Sequence, residues 1–357
     1  MYVNMIDVIK PTLLLNKEKS FNNIKNIQKN LTDSKIELRP HFKTHQSNVV
    51  GNWFKELGIK KITVSSVTMA KYFSKYWDDI TIAFPVNILE LDDVIMLQEK
   101  IKINLLVDSY DVLEILEKKL RNKINIYIKV NVGYNRAGVD YESDSINDII
   151  SYSDSSSKLN FKGFLTHFGD TYNSKSSIEI RDSFENSINK ISDLNKKFPD
   201  YEISIGDTPS SSLVNKYPEF ITEIRPGNFV FYDLDQLKIG SCQIEQIAIR
   251  LVCPVISIYK KRNSLLLYGG SVHFSKDYIV ENNNKCYGYV YHGDYWSLEN
   301  KIGYIKSLSQ EHGIVELEKN INLKIGDKLS IIPVHSCLTV DKMREFYIND
   351  NKFKIMT

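Results

Sequence analysis

The segment Ile36-Glu37-Leu38-Arg39-Pro40-His41-Phe42-Lys43-Thr44-His45 introduces the pattern that most of the chain repeats. Apolar side chains alternate along it as far as Phe42, which is typical of a β-strand with one buried face. Lys43 follows at the end of that strand, where a lysine can point into a site and form a Schiff base. A lone strand-end lysine is more often a solvated surface residue, so the meaning of Lys43 depends on the rest of the chain.

Short apolar runs alternate with amphipathic segments up to about residue 228. The runs cover residues 36–42, 62–66, 80–84, 103–107, 124–132, 161–166, 202–205 and 221–224. Segments with helical periodicity lie between them, at residues 21–31, 67–76, 110–120 and 178–198. Eight such alternations predict an α/β fold with a (β/α)8 TIM-type barrel. A doubly wound open sheet is the competing fold, but it usually carries a glycine-rich turn after its first strand, and this chain has none there.

The pattern changes after residue 229, where β-rich runs are separated by turn residues and few segments have helical periodicity. These runs cover residues 229–231, 247–252, 255–259, 264–267, 288–291, 313–317 and 328–332. They predict a second, mostly antiparallel β domain. We therefore expect a barrel domain at 12–235 and a C-terminal β domain at 236–357, which residues 1–11 would join.

Composition excludes several classes of protein. A formal net charge of +2 over 357 residues argues against a nucleic-acid binder, which usually concentrates basic residues. The four cysteines form no CxxC pair and are too sparse for a disulfide framework. No apolar stretch is long enough to span a membrane, and the N-terminus lacks the pattern of a signal peptide. We expect a soluble cytoplasmic protein without a membrane partner.

Unusual polar residues follow one predicted strand after another, where barrel enzymes build their sites. They are Lys43 after the first strand, Arg136 after the fifth, His167 after the sixth, the segment Gly206-Asp207-Thr208-Pro209-Ser210 after the seventh and Arg225-Pro226-Gly227-Asn228 after the eighth. The hydroxyls of Thr208 and Ser210 and amides freed by Gly227 can converge on a phosphate, although a plain helix cap would also explain Thr208 and Ser210. A lysine, a phosphate cradle and an arginine on one rim suggest pyridoxal 5′-phosphate, with the arginine facing the pyridine nitrogen.

A second cluster of chemistry lies near the C-terminus, in Pro333-Val334-His335-Ser336-Cys337-Leu338-Thr339-Val340. We expect a β run here, which would put His335 and Cys337 on one face. Imidazole and thiolate are good zinc ligands, and two protein ligands leave positions for water and substrate. A buried cysteine beside a strand histidine is the structural alternative.

These residues resemble, in order, the motifs of the fold-type III pyridoxal phosphate enzymes, in the branch of D-serine dehydratase and D-threonine aldolase. Residues 39–45 look like the RPHxKTH motif, with Lys43 as the Schiff-base lysine, and Arg136 with Gly138 looks like the RxG turn. The remaining matches are Thr166-His167 with Tyr172, a GxTPS-like phosphate motif at 206–210, an ExRPGxYVF-like segment at 223–231, EHG at 311–313 and HxC at 335–337. The resemblance implies that Arg225 lies near the pyridine ring and that the amides of Gly227 and Asn228 contact the phosphate.

The family implies a lyase for β-hydroxy D-amino acids, built as a head-to-tail homodimer. Lys43 would remove the α-proton, and His335 with Cys337 would hold a divalent metal, zinc or manganese, on the substrate hydroxyl. His167, Tyr172 and His312 are candidates for the second acid or base. We favour dehydration to a 2-keto acid and ammonia, because the aldolases more often carry a carboxylate as the second metal ligand. A D-threonine aldolase, an amino-acid racemase and a non-catalytic cofactor carrier are the alternatives.

Overall fold

The structure, a computed structural model, describes residues 8–356. Its strands in chain order are β1 (Thr12–Leu15), β2 (Glu37–Leu38), β3 (Ile62–Val64), β4 (Asp79–Pro85), β5 (Lys102–Val107), β6 (Ile124–Asn131), β7 (Val139–Asp140), β8 (Leu159–Thr166), β9 (Glu202–Ile205), β10 (Glu223–Ile224), β11 (Ile249–Tyr259), β12 (Ser264–Tyr268), β13 (Ile279–Glu281), β14 (Asn284–Cys286), β15 (Gly288–His292), β16 (Gly303–Leu308), β17 (His312–Leu317), β18 (Lys328–Pro333), β19 (Glu345–Ile348) and β20 (Asn351–Lys354). Its α-helices are α1 (Lys17–Lys29), α2 (Asn48–Glu56), α3 (Val67–Phe73), α4 (Leu91–Gln98), α5 (Tyr110–Lys119), α6 (Ser145–Ser155), α7 (Ser177–Lys197), α8 (Thr208–Leu213), α9 (Leu234–Lys238) and α10 (Ser336–Met343).

The described chain divides into two compact units. The first, here called the barrel unit, comprises Lys25–Lys43 and Val50–Gly227. The second, here called the β unit, comprises the chain up to Ile24, the short segment Thr44–Val49 and everything from Asn228 onward.

The barrel unit contains the eight predicted strands, all parallel, in the order β2-β10-β9-β8-β6-β5-β4-β3. A parallel bridge between His41 and Thr63 joins the two ends of that order. The predicted barrel is therefore confirmed. Helices α3, α5 and α7 occupy the predicted segments, and α7 begins where the side chain of Ser176 accepts a hydrogen bond from the amide of Glu179, a standard N-cap.

The β unit is built on a nine-stranded sheet in the order β12-β17-β16-β15-β18-β11-β1-β19-β20. Because β12 also pairs with the long strand β11, six of these strands close into a small barrel. Every pairing within that six-stranded ring is antiparallel, which confirms the predicted β domain.

Two local expectations differ from the structure. Residues 12–24 were expected in the barrel domain, whereas β1 pairs antiparallel with β11 and belongs to the β unit. An apolar run such as Leu13-Leu14-Leu15 shows that a strand is buried but not which sheet it joins. The predicted strand at 229–231 is wrong, because Asn228–Val230 form a 3-10 helix in which Asn228 O accepts from the amides of Phe231 and Tyr232. Residues 1–7, also expected in the β domain, lie outside the described residues.

No helix among residues 8–356 combines the length and the apolar character that crossing a membrane requires.

Candidate functional site

Lys43 lies at the end of the predicted barrel strand, and the residue before it anchors the backbone. Phe42 is fully buried and packs its ring against Phe54, Phe73 and Trp77, with centroids 5.0–5.2 Å apart. The amide of Lys43 donates to Nδ1 of His41 at 3.3 Å, while the Lys43 side chain is exposed. The anchored aromatic ring therefore holds the backbone still and leaves the amine accessible.

His167 lies just beyond β8 with one ring nitrogen committed to the backbone. Its Nδ1 is 2.7 Å from the carbonyl oxygen of Gly206, and because a carbonyl only accepts, Nδ1 carries the proton and Nε2 keeps a lone pair. Burial, followed by the charges of Lys129, Arg136 and Lys43, lowers the pKa of His167 to about 3. The imidazole is therefore neutral at physiological pH and can accept a proton at Nε2.

The predicted phosphate residues come together with Tyr172. The amide of Thr208 donates to the Tyr172 hydroxyl at 3.1 Å, and the amide of Gly227 donates to Oγ1 of Thr208 at 3.2 Å. The ring of Tyr172 lies 5.9 Å from that of His167. Amide donors that follow two strand ends are thus linked through the hydroxyls of Tyr172 and Thr208, and backbone amides of this kind can bind an anion.

Ser210 is held differently from Thr208. Its amide and its hydroxyl both donate to the carboxylate of Asp207, at 2.7 Å and 2.5 Å, and Thr171 donates to the same group at 2.8 Å. Burial raises the pKa of Asp207 to about 6. Ser210 therefore takes part in the N-cap of helix α8, which the sequence analysis gave as the alternative. Its contact with phosphate stays a prediction.

Arg225 is buried in the barrel with most of its donors already used. Its Nε donates to Oγ of Ser204 at 2.7 Å, and Nη2 donates to the carbonyls of Thr166 and Ser204. Within residues 8–356, Nη1 makes no hydrogen bond, and the buried Thr166 hydroxyl has no partner. These are the polar atoms that a cofactor ring nitrogen and its substituents would engage.

Lys129 belongs to the same site and was missed by the sequence analysis. It projects from β6, is almost fully buried, and has a pKa lowered to about 7 by burial and by the charges of Arg225 and Arg136. The signal was present, because in an alternating strand Lys129 shares a face with Tyr127, opposite its apolar neighbours. Arg136 itself is exposed in the following loop, 5.2 Å from the ring of Tyr134.

In the β unit, His335 and Cys337 do not lie on a strand, and that prediction is wrong. Strand β18 ends at Pro333, and His335 is the N-cap of helix α10. The carbonyl of His335 accepts from both the amide and the hydroxyl of Thr339, at 3.2 Å and 2.9 Å. The imidazole and the thiol are nevertheless close enough to interact, and Cys337 raises the pKa of His335.

A carboxylate fixes the orientation of His335. Nδ1 of His335 lies 2.7 Å from Oδ2 of Asp277, so the carboxylate accepts the Nδ1 proton and Nε2 is turned to the other side. Burial would lower the pKa of His335, but the neighbouring Cys337, the charge of Asp233 and the hydrogen bond with Asp277 raise it to about 10. The surroundings of His335 therefore favour its protonated, positively charged form.

Asp233 organises the same corner of the β unit. Its carboxylate accepts from the Asn228 side-chain amide at 2.6 Å, from the amide of Ser336 at 2.8 Å and from the amide of Gln236 at 3.1 Å. It therefore caps both α9 and α10. The side-chain amide of Asn228 also lies 3.8 Å from Sγ of Cys337. The predicted contact of the Asn228 backbone amide with phosphate stays a prediction.

The chemistry of this cluster fits a divalent metal. An imidazole and a thiol are the donors that zinc prefers, and Asp233, Asp235 and Asp277 make their surroundings negative. Burial and the neighbouring Asp233 raise the pKa of Asp235 to about 7, although the charge of His335 acts in the opposite direction. No group of three or more metal-binding side chains is assembled within the described part of the chain, so protein ligands would occupy only part of a coordination shell.

His312, the third candidate acid or base, is exposed on β17, opposite Tyr268 of β12. Its neighbour Glu311 is 3.8 Å from Nε2 of His273. Nothing in these contacts connects His312 with the residues described above.

Comparison with known proteins identifies two domain families in the chain. Residues 15–235 match the model described as "Alanine racemase, N-terminal domain", and residues 248–349 match the model described as "Putative serine dehydratase domain".

Similar proteins span nearly the whole chain. A D-serine dehydratase of Dictyostelium discoideum is 29% identical, covering 89% of this chain and 88% of its own length. The solved structure of D-threo-3-hydroxyaspartate dehydratase from Delftia sp. HT23 superposes with a TM-score of 0.85 at 21% identity over 98% of both chains. D-threonine aldolase from Filomicrobium marinum superposes with a TM-score of 0.84 at 18% identity, covering 98% and 95% of the two chains.

Proposed function

Since the chain belongs to the alanine racemase N-terminal domain family and also carries a serine dehydratase domain, we propose that it is a pyridoxal phosphate- and metal-dependent lyase. It would convert β-hydroxy D-amino acids, of the D-serine or D-threonine type, to 2-keto acids and ammonia. The observation that carries the proposal is the hydrogen bond of 2.7 Å by which Asp277 orients His335, beside the thiol of Cys337. A racemase built on the same barrel has no need of such a ligand pair.

The barrel unit offers the groups that would hold pyridoxal phosphate. Lys43 would bind its aldehyde carbon, and the free Nη1 of Arg225 would face the pyridine nitrogen. The amides of Thr208, Gly227 and Asn228 would hold the phosphate, the first two in exchange for the hydroxyls of Tyr172 and Thr208 to which they now donate. Ser210 would add a second hydroxyl. Arg136, exposed near the same rim, would contact the ring substituents.

The remaining chemistry is divided between proton transfer and Lewis acidity. Bound pyridoxal phosphate withdraws electrons from the substrate α-carbon, and a bound metal polarises the hydroxyl that leaves. Arg225 is still charged at neutral pH, because burial lowers its pKa only to about 10. An arginine keeps the ring nitrogen unprotonated and weakens the electron sink, so a metal on the leaving group becomes important.

Three residues of the barrel unit would move protons in the proposed reaction. Lys43, once released from the cofactor, would take the α-proton at Nζ. His167, with Nε2 as a free acceptor, can take a proton but has none to give at neutral pH. The Tyr172 hydroxyl, which accepts from Thr208, keeps its own proton to donate.

Two further points belong to the proposal. Zinc suits a histidine and thiolate pair better than manganese, which prefers oxygen ligands. We also propose a homodimer on the strength of the family resemblance, which light scattering of the purified protein would test.

The decisive experiment uses D-threonine with purified protein, pyridoxal phosphate and zinc. Formation of 2-ketobutyrate and ammonia supports dehydration. Formation of glycine and acetaldehyde would instead make the protein an aldolase, and formation of L-allo-threonine alone, by inversion at the α-carbon, would make it a racemase. Cys337 favours the first outcome over the second, because the aldolases more often carry a carboxylate at that position.

A further inference from the structure

Two residues with no role so far, Ser204 and Glu223, form a chain of hydrogen bonds behind Arg225. Ser204 is on β9 and Glu223 begins β10, and both are buried inside the barrel unit. Oγ of Ser204 is 2.7 Å from Nε of Arg225 and 2.6 Å from Oε1 of Glu223. No other polar side chain among the described residues contacts this serine hydroxyl.

The direction of each hydrogen bond in this chain is fixed by chemistry. A guanidinium nitrogen only donates, and an ionised carboxylate only accepts. The single hydroxyl proton of Ser204 must therefore point to Glu223, while its lone pair receives the Arg225 proton. The arrangement has one orientation, so it fixes the plane of the guanidinium.

Glu223 stays ionised in spite of its burial. Burial alone would raise its pKa, but the charges of Arg39 and Lys61 and the hydrogen bond from Ser204 keep the pKa below its usual value. Nε of Arg39 is 2.6 Å from Oε2 of Glu223, and Nη1 of Arg39 is 2.6 Å from Asp79. The carboxylate that anchors Ser204 is thus itself held in place.

Arg225 is the last residue in this series of hydrogen bonds and is the one proposed to face the cofactor. Nε and Nη2 of Arg225 are occupied by Ser204 and Thr166, which leaves Nη1 as the nitrogen without a hydrogen bond in residues 8–356. Gly206 permits this packing, because a Cβ at that position would lie 2.9 Å from Cβ of Arg225. The guanidinium therefore cannot rotate to another partner without losing two buried hydrogen bonds.

We propose that Ser204 and Glu223 are positioning residues that hold Arg225 against the pyridine ring of the cofactor. The inference rests on the proposed function and extends it to residues that touch neither cofactor nor substrate. Arg39 holds the carboxylate of Glu223 behind Arg225, and Lys43 lies four residues later, at the carboxyl end of the same predicted strand.

The test is a double-mutant cycle on the holoenzyme with Ser204→Ala, Glu223→Gln and the double variant. Ser204→Ala should still take up pyridoxal phosphate on Lys43, because no phosphate or amine contact is changed. Its kcat for D-serine should fall by about 10²-fold with little change in KM, the cost of a misplaced catalytic contact. The visible absorption of the bound cofactor should change its pH dependence, which loss of a merely structural hydroxyl would not cause.

The cycle separates a relay from two independent effects. If Ser204 and Glu223 act through the same guanidinium, the double variant should be no slower than the worse single variant. Ser153→Ala is the matched control, since Ser153 is a buried serine of the same unit whose hydroxyl donates only to Ile149 O at 2.7 Å. It should leave both spectrum and kcat unchanged.

Three results would contradict the inference, the relay or the proposed function. A Ser204→Ala holoenzyme with the wild-type spectrum and kcat overturns the inference, whether or not Glu223→Gln folds. Fully additive losses in the double variant overturn the relay between the two residues. Wild-type protein that takes up no pyridoxal phosphate overturns the proposed function, and the inference falls with it.

Discussion

The two ends of the barrel differ in how their charges are satisfied. Near the amino ends of the strands, Arg39 is paired with Glu223 and Asp79, and Asp79 also pairs with Lys102. An asparagine ladder continues the network from Asn104 through Asn125 to Asn160, at 2.9 Å and 2.7 Å. Each buried charge here has an opposite charge in contact, which is the pattern of a group retained for structure.

At the carboxyl ends of the strands, by contrast, buried groups of like charge lie close to one another. Lys129 is buried beside Arg225 and Arg136, two like charges, and His167 is neutral in the same positive field. The buried hydroxyl of Thr166 lacks a partner among residues 8–356. In barrel enzymes, residues at the amino ends of the strands serve stability and residues at the carboxyl ends carry the chemistry. A buried polar group without a partner in the free protein is therefore a candidate to bind a ligand.

Removing Lys43 should have the largest effect, and only on function. Lys43→Ala should abolish stable attachment of pyridoxal phosphate and lower turnover of D-serine by at least about 10²–10⁴-fold, because it also removes the base. Thermal unfolding of the apoprotein should not change, because the side chain is exposed. A fall in melting temperature with activity retained would assign Lys43 to structure instead.

Removing Arg39 should act first on stability. Arg39→Met leaves Glu223 buried without its main counter-charge and should cost about 3–5 kcal/mol of unfolding free energy, measured by urea denaturation. Lys196→Met, at an ion pair on the exposed face of α7, is the control and should change stability by less than about 1 kcal/mol. Equal effects from the two substitutions would show that the paired end is not specially stabilising.

The same replacement at Lys129 should stabilise the apoprotein at low pH. Lys129 has a pKa of about 7 when folded against 10.5 as a free side chain, so below pH 7 the folded chain bears the full cost of a buried charge. That cost is relieved as the pH rises from about 7 toward 10, because the folded chain then releases a proton that the unfolded chain keeps. Lys129→Met should therefore raise the melting temperature at pH 6 and progressively less at pH 9. Destabilisation of the same size at both values would contradict the assignment.

The smallest predicted effect concerns the β unit, where Asp277 orients His335. Asp277→Ala should weaken zinc binding by roughly 10–100-fold, measured in competition with a chromophoric chelator. Asp277→Asn keeps an oxygen acceptor for the Nδ1 proton and should lose less. His335→Ala should abolish the site, which distinguishes loss of orientation from loss of the ligand. Identical affinities for wild type and Asp277→Ala would remove Asp277 from the metal site.

Much of the barrel could be predicted from local pattern. Eight apolar runs separated by helical segments leave few other folds, and residues at strand ends follow from the topology alone. Lys129 was visible by the same alternation, as a charged residue on the inward face of β6. It was overlooked because only strand ends were searched for polar residues.

The β unit was harder to predict, because distant residues decide its local structure. Residues 333–340 contain Val334, Leu338 and Val340, which favour a strand, yet the chain turns into helix α10 at Ser336. Its cap is Asp233, 103 residues earlier in the sequence, and the partner of His335 is Asp277, 58 residues earlier. The spacing predicted His335 and Cys337 on a strand, whereas they lie at the start of a helix, because contacts of this range leave no periodic signal.

The central claim is that the chain is a metal-dependent lyase and not a racemase on the same barrel. The direct measurement is pyruvate release from D-serine by the pyridoxal phosphate-loaded protein before chelation, after chelation and after zinc is restored. We predict that pyruvate forms, that chelation stops it, and that zinc brings it back. Release of L-serine without pyruvate, or pyruvate formation that survives both chelation and the His335→Ala substitution, would contradict the account.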